Sequence, residues 1–242
     1  MNRRGFFKVV AGGAIVAISP TLIRGKLYAI EENKCMIAYE KVQLLDENEK
    51  ALKYDKLEKE VAYAFNYPLV GTPCIMIRHK EATKKDVKLK SEEGEEYIWK
   101  GGVGKEGDLV AYSAICPHQL THPTPETSFI SYVGEGKKTM ACKMDRVIVC
   151  ASHLSAFDPK SGCKVVGGPA PQPLASIILE VDKDNNIYAT AVLGSDKFLD
   201  YFKAYKPELK QYYGGKRKAK RKVNEGVKVV ALSKYSKEII TY

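Results

Sequence analysis

VIVCASHLSAFDP, residues 147–159, is the stretch on which the reading of this chain turns. Val147, Ile148 and Val149 have the β-branched texture of a buried strand. The run delivers Cys150 and then His153 before Asp158 and Pro159 close it. Upstream, AICPHQLTHP (114–123) offers a second pair, Cys116 and His118, with one residue between them. Two thiolates and two imidazoles are a donor set for zinc or for an iron–sulfur centre of mixed ligation. Zinc knuckles usually leave two to four residues inside their first pair, whereas Cys116-x-His118 leaves one. Cys-x-His followed by Cys-x-x-His suits a two-iron cluster, because each loop then sends its cysteine to one iron and its histidine to the other.

Outward from these pairs the texture is that of a small antiparallel all-β domain. AYAFNYPLVGTPCIMIRHK (62–80), DLVAYSAICPH (108–118), CKVVGGPAPQPLASIILEV (163–181) and NIYATAVLG (186–194) are short β-rich runs punctuated by Gly, Pro, Asp and Asn. Residues 85–108 read as a charged insertion with the makings of a hairpin. Residues 30–60 are highly charged with weak helical periodicity, and are expected to be a linker or tether with some helix. DKFLDYFKAYKPELKQYY (196–213) is expected to be partly helical, and GGKRKAKRKVNEG (214–226) to be a glycine hinge and a basic run, read first as a solvated tail and second as a contact for anionic lipid heads or an acidic partner subunit.

The chain has 242 residues and a formal charge of +10, unevenly spread. Residues 1–28 carry +5, residues 194–242 carry +8, and the middle carries −3. The middle therefore has no net positive charge to follow phosphates, which weakens any nucleic-acid reading, and no nucleic-acid partner is expected. MNRRGFFKVVAGGAIVAISP begins with Arg3 and Arg4, then Phe6, Phe7, Lys8 and an apolar run. It resembles a twin-arginine export signal, which carries folded, cofactor-loaded proteins, and is expected to stay uncut as a membrane anchor because Leu27-Tyr28-Ala29 is a poor cleavage site. The expected domains are 1–28, signal and transmembrane anchor; 29–66, charged tether; 67–193, the cluster domain, with its cluster-binding part at about 112–172; and 194–242, a basic extension.

The residues around the pairs resemble those of Rieske iron–sulfur proteins, above all the Rieske subunit of cytochrome bc complexes. Ser155, Phe157 and Asp158 stand where that family has Ser, Tyr or Phe, and Asp; Gly162 and the loop Gly168-Pro169-Ala170-Pro171 match as well. GTPCIMIRHK is similar to an early strand of that subunit. The resemblance implies an all-β fold, a Rieske-type antiparallel β-sandwich with a cluster-binding subdomain. It implies one [2Fe-2S] cluster per chain, with Cys116, His118, Cys150 and His153 as metal ligands and Ser155 and Phe157 beside it. His153 and His118 would then be the working residues at the tip.

Two departures matter. The family has a disulfide bracing the two cluster loops, and its positions are Thr121 and Ser152 here. Losing such a cross-link costs about 2–5 kcal/mol, so other contacts must hold the tip. The 31 residues between His118 and Cys150 are more than is usual for the family, and are a candidate for that support. A Cys142–Cys163 bridge is conceivable. Phe157 also lacks the hydroxyl that in the family reaches a ligand sulfur. Fewer hydrogen bonds to sulfur mean a lower potential, which fits menaquinol or another low-potential donor.

By resemblance the chain is expected to be the redox subunit of a quinol:cytochrome c oxidoreductase, not catalytic alone. It would meet a cytochrome b subunit, a c-type cytochrome and quinol, and swing on the 30–60 tether at the outer face of the bacterial inner membrane. The second reading is the small Rieske subunit of a periplasmic molybdoenzyme such as arsenite oxidase. A Rieske oxygenase also needs a mononuclear iron held by two His and a carboxylate, and only His79 and His122 remain for it.

Overall fold

A computed structural model describes residues 35–242. The signal and anchor expected in 1–28 lie outside the described residues. Among the described residues, no helix is long and apolar enough to cross a membrane.

The strands are β1 Met36–Leu45, β2 Ala62–Asn66, β3 Pro73–Arg78, β4 Val87–Lys90, β5 Glu96–Trp99 and β6 Leu109–Ser113. They continue with β7 Thr127–Ser128, β8 Ile130–Val133, β9 Val147–Cys150, β10 Ser155–Asp158, β11 Lys164–Gly167, β12 Ser176–Val181 and β13 Ile187–Leu193. Helices α1 Phe198–Ala204, α2 Lys206–Tyr213 and α3 Lys216–Ala219 follow. Then come β14 Val227–Lys228, β15 Val230–Ala231, α4 Leu232–Tyr235 and β16 Glu238–Ile239. The main sheet has eight strands in the order β14-β1-β13-β12-β6-β3-β2-β15, and a second has four, β11-β10-β9-β8. Pairing is antiparallel except for β1 with β14 and β7 with β16. The mostly β fold expected from the sequence is present, and β4–β5 is a hairpin in the charged insertion.

Side chains alternate across the main sheet with the period of two that a strand imposes. Phe65, Met76, Leu109, Ala111, Ile177 and Leu179 share a core with Tyr201, Phe202 and Leu209 of the C-terminal helices. Their neighbours Ala64, Ile75, Ile77, Val110, Tyr112 and Ile178 face the other way, into a core with Trp99 of the hairpin and with Ile130, Ile148 and Phe157 of the second sheet. The main sheet is therefore covered on both faces. Helices lie on one and the cluster-bearing sheet on the other.

Two expectations are corrected here. Residues 36–45 are a sheet strand, not a tether: β1 pairs with β13 from Met36↔Leu193 to Gln43↔Tyr188. Its charges fall on the exposed positions, and Val42 and Leu44 are buried. A swing about 30–60 thus finds no hinge from Met36 to Leu45. Nor is the basic run 216–222 a solvated tail. Ala219 is fully buried, and a Cβ on Gly71 would stand 2.8 Å from its Cβ. Leu209, also fully buried, anchors α2, and truncating such a leucine to alanine costs about 2–5 kcal/mol.

Candidate metal centre

The two cluster loops leave the ends of strands. The first follows β6, and the chain runs on from Ser113 through Ala114 and Ile115 to Cys116. The second follows β9, whose last residue is Cys150 and which returns as β10 with Ser155 opposite Cys150. The same turn is built in both. In the first loop the amides of His118 and Gln119 donate to the Cys116 sulfur; in the second, those of Ser152 and His153 donate to the Cys150 sulfur. Four residues after each cysteine comes a leucine with positive φ, Leu120 at 62° and Leu154 at 59°. A cysteine with two amides aimed at its sulfur is set up to be a thiolate ligand.

The four predicted ligands come together as two pairs. Cys116 and Cys150 are buried, and the Cys150 thiol donates to Cys116. That bond, more than any other influence, lowers the Cys116 pKa to about 7, and the shared proton pushes the Cys150 value up. The His118 and His153 rings lie edge to face, centroids 4.9 Å apart. His118 is half-buried and His153 exposed. Among the described residues, no three His, Cys, Asp or Glu side chains gather round one ion-sized point. Sulfur facing sulfur and ring facing ring is a donor set for two irons, each with its own pair, better than for one zinc. Two buried polar atoms fit the same group. His118 Nδ1 is buried without a hydrogen-bond partner, a free ligand lone pair, and the buried Ser155 Oγ, paired with no oxygen or nitrogen, is directed at the Cys116 sulfur. Phe157 is wholly buried in β10 and brings no hydroxyl.

Gly168 closes the second loop. Its φ is +78°, and a Cβ there would sit 2.2 Å from the Leu154 carbonyl oxygen and 2.6 Å from Ser155 Cα. Only glycine lets the Gly168-Pro169 turn press this closely on the cluster loop. The long connection expected to support the tip does so in part: the Ala151 amide donates to Phe129 O at 2.7 Å, and β8 pairs with β9.

The first loop is held by residues that no motif places at the site. His122 is buried, with Nδ1 at 2.9 Å from the Leu120 carbonyl and Nε2 in a short contact with the Glu208 carboxylate of α2. Its ring packs edge-on against Tyr201 and Tyr205, at 4.5 and 4.7 Å between centroids. The Tyr205 hydroxyl donates to Gln119 O at 3.3 Å. Just beyond, Ser236 Oγ donates to Thr124 O at 2.6 Å and β16 pairs with β7. The extension therefore grips the first loop where the family would place a cross-link. All six cysteines, Cys142 and Cys163 included, are free. Apart from the spacing of Tyr201 and Tyr205 on one helix face, nothing local in the sequence marks this grip.

Residues 74–178 match the family model of the Rieske [2Fe-2S] domain. The chain is 28% identical to the iodate reductase subunit IdrB of Denitromonas iodatirespirans over 196 residues, 80% of this chain and 82% of that one. It is 28% identical over 145 residues to a Haloferax mediterranei protein assigned as a Rieske subunit of a respiratory nitrate reductase, covering 59% of this chain and 51% of the relative. The soluble domain of Rieske protein II from Sulfolobus acidocaldarius aligns with a TM-score of 0.43 and 22% identity, over 65% of this chain and 82% of that one. The family match spans both loops and the strands that carry them, so residues 74–178 are a Rieske domain and a Rieske-type [2Fe-2S] cluster is its cofactor.

Proposed function

We propose that this chain is the Rieske electron-transfer subunit of a multi-subunit oxidoreductase, of the molybdoenzyme kind rather than a cytochrome bc complex. The observation that carries this choice is the similarity to Rieske subunits named for iodate and nitrate reductases, the first of them covered over 82% of its length. Thr121 and Ser152 agree with it, since each departs from the bc-type pattern, and Phe157 lacks the hydroxyl that reaches a ligand sulfur in that type. The second reading, a bc-type subunit facing cytochrome b and quinol, rests on Gly168-Pro169-Ala170-Pro171. The leader fits either one: it would export the loaded domain to the outer face of the cytoplasmic membrane.

When bound, the cluster supplies one-electron chemistry. Cys116 and Cys150 would hold one iron, and His118 and His153 the other. The amides of His118, Gln119, Ser152 and His153 stabilise negative charge on the thiolates and keep their geometry fixed between redox states. Ser155 Oγ is directed at the Cys116 sulfur. The exposed His153 ring is the contact edge for a partner, and the imidazole nitrogen not used for metal can hold or release a proton there. Buried walls around both sulfurs keep water from the thiolates.

Purification of the native complex under mild conditions tests the choice. Co-purification with a large subunit containing stoichiometric molybdenum is the expected result. A b-type haem subunit in its place would restore the bc reading.

A further inference from the structure

We infer that the basic face of the C-terminal extension is a docking surface for the acidic face of a protein redox partner, seated over the exposed histidine edge. This rests on the electron-transfer reading above and adds the partner's chemistry to it. From Lys203 to Lys222 there are nine Lys or Arg and one acid, Glu208, which is taken up by His122. Lys206, Lys210, Arg217, Lys218, Arg221 and Lys222 are exposed. Among the described residues, the only other ion pair of this stretch is Lys203 with Asp200, at 3.0 Å. Elsewhere many surface cations are paired, as in Lys41–Glu180, Lys80–Glu135 and Lys234–Glu47, and the unpaired ones, such as Lys88 and Lys137, do not gather in so long a run. Like charges crowded without counter-ions repel one another, and an acidic surface relieves that repulsion.

The run also sits at the right end of the molecule. Gly71 N donates to Ala219 O and Val70 N to Arg221 O, both at 2.9 Å, which fixes α3 to the β2–β3 turn. That turn leads into Pro73, whose carbonyl accepts from Ala114, two residues before Cys116. Tyr205, next to Lys206, bonds to Gln119 of the first loop. At the opposite end of the main sheet, the turns before Leu52 and after β12 carry Asp46, Glu47, Glu49, Asp182 and Asp184. The charge separation thus points the histidine edge at an acidic partner and speeds productive encounters. Leu199, 64% exposed on α1, adds an apolar spot beside the basic rim. Anionic lipid is usually met by a loose polybasic segment; this one is folded against the sheet beside the redox site, which favours a protein.

The test is stopped-flow oxidation of the reduced, cluster-loaded protein by plastocyanin, an acidic copper protein. One electron leaves the domain and Cu(II) becomes Cu(I). Mitochondrial cytochrome c, a basic acceptor, is the control. The rate with plastocyanin should fall about tenfold or more between low salt and 0.3 M, and Lys206→Glu with Lys210→Glu and Arg217→Glu should lower it similarly at low salt. With cytochrome c the same triple variant should not be slower. Lys50→Glu with Lys183→Glu, at the far end of the sheet, should leave both rates alone. The charge-neutral Lys206→Gln/Lys210→Gln variant should give a smaller loss in the same direction. Plastocyanin rates indifferent to salt and to all of these changes would overturn the proposal. If such rates accompanied sedimentation with phosphatidylcholine–phosphatidylserine vesicles of about 3:1, the patch would be reassigned to lipid. The EPR signal of the reduced cluster separates this from the reading beneath it: a missing signal defeats electron transfer, a normal signal with indifferent rates defeats only the docking surface.

Discussion

The loop after β6 and the loop after β9 share one backbone turn but are held by different parts of the chain. In each, amides two and three residues beyond the cysteine donate to its sulfur, and a leucine with positive φ ends the turn. Histidine stands two residues beyond Cys116 in the first and three beyond Cys150 in the second. The second loop joins two strands that pair with each other and is pressed by Gly168, so its support is local. The first leaves a strand and enters coil, and its fixing points, Glu208, Tyr201 and Tyr205, come from helices some eighty residues later. A sheet can hold one thiolate–imidazole pair by itself. The other pair needs a clamp.

The most damaging change should fall on the tighter loop. Gly168→Ala places a methyl 2.2 Å from Leu154 O at a φ of +78°, and neither atom belongs to a flexible side chain. Backbone strain of this kind costs at least about 3 kcal/mol, and the second turn should open. We expect purified Gly168→Ala to carry little iron or labile sulfide while keeping its β circular dichroism. Full iron content would show that the glycine is not what closes the loop.

Next in size is the clamp. Glu208→Ala leaves His122 Nε2 buried without its acceptor, a loss of about 1–3 kcal/mol. Cluster release to a chelator should speed up by about tenfold or more while the second loop is untouched. Thr121→Cys with Ser152→Cys offers the two loops the family's cross-link, worth about 2–4 kcal/mol if it forms unstrained. In the Glu208→Ala background, that bridge, verified by thiol counting, should restore slow release. A formed bridge without rescue would mean that the extension does not stand in for it.

The same contrast explains what was legible in the sequence. Cys116, His118, Cys150, His153, Ser155 and the Gly168 loop are local patterns, and local spacing suffices to mark them as candidates. β1 reads as a tether because Glu40 and Lys41 are exposed in its bulge between Ala38 and Val42 and its partner, β13, lies some 150 residues away. Seen without that partner, charges among alternating apolar residues resemble a tether. The His122–Glu208 contact spans 86 residues and no spacing rule connects its ends. The basic run reads as a tail because its one fully buried side chain is Ala219, which packs against Gly71 on a distant turn.

A smaller effect probes how the loops tune the centre they share. Ser155 belongs to the second loop's strand, yet its hydroxyl is directed at the sulfur of Cys116 of the first. Hydrogen bonds to cluster sulfur stabilise the more negative, reduced state and raise the potential. Ser155→Ala should lower the midpoint and Phe157→Tyr raise it, each by roughly 50 mV, since one such bond is worth about 1 kcal/mol and a one-electron couple moves 59 mV per tenfold. Protein-film voltammetry reads both, and unchanged midpoints would remove hydrogen bonding from the account of this potential.

The smallest effect concerns the protein without its cluster, where the two loops meet only through their thiols. Cys116 accepts from Cys150, and this largest influence holds its pKa near 7 against the upward push of burial. The value lies below that of an ordinary thiol, so the pair holds a thiolate above about pH 7 and loses it as pH falls through that value. Titrated by thiolate absorbance in the ultraviolet, the cluster-free protein should show one cysteine ionising near neutrality. Cys150→Ala removes the thiol donor, and the neutral transition should move upward. If the transition stays where it was, the amides of His118 and Gln119 suffice to prepare Cys116 for iron, and the first loop needs its helical clamp for position but not its neighbour for charge.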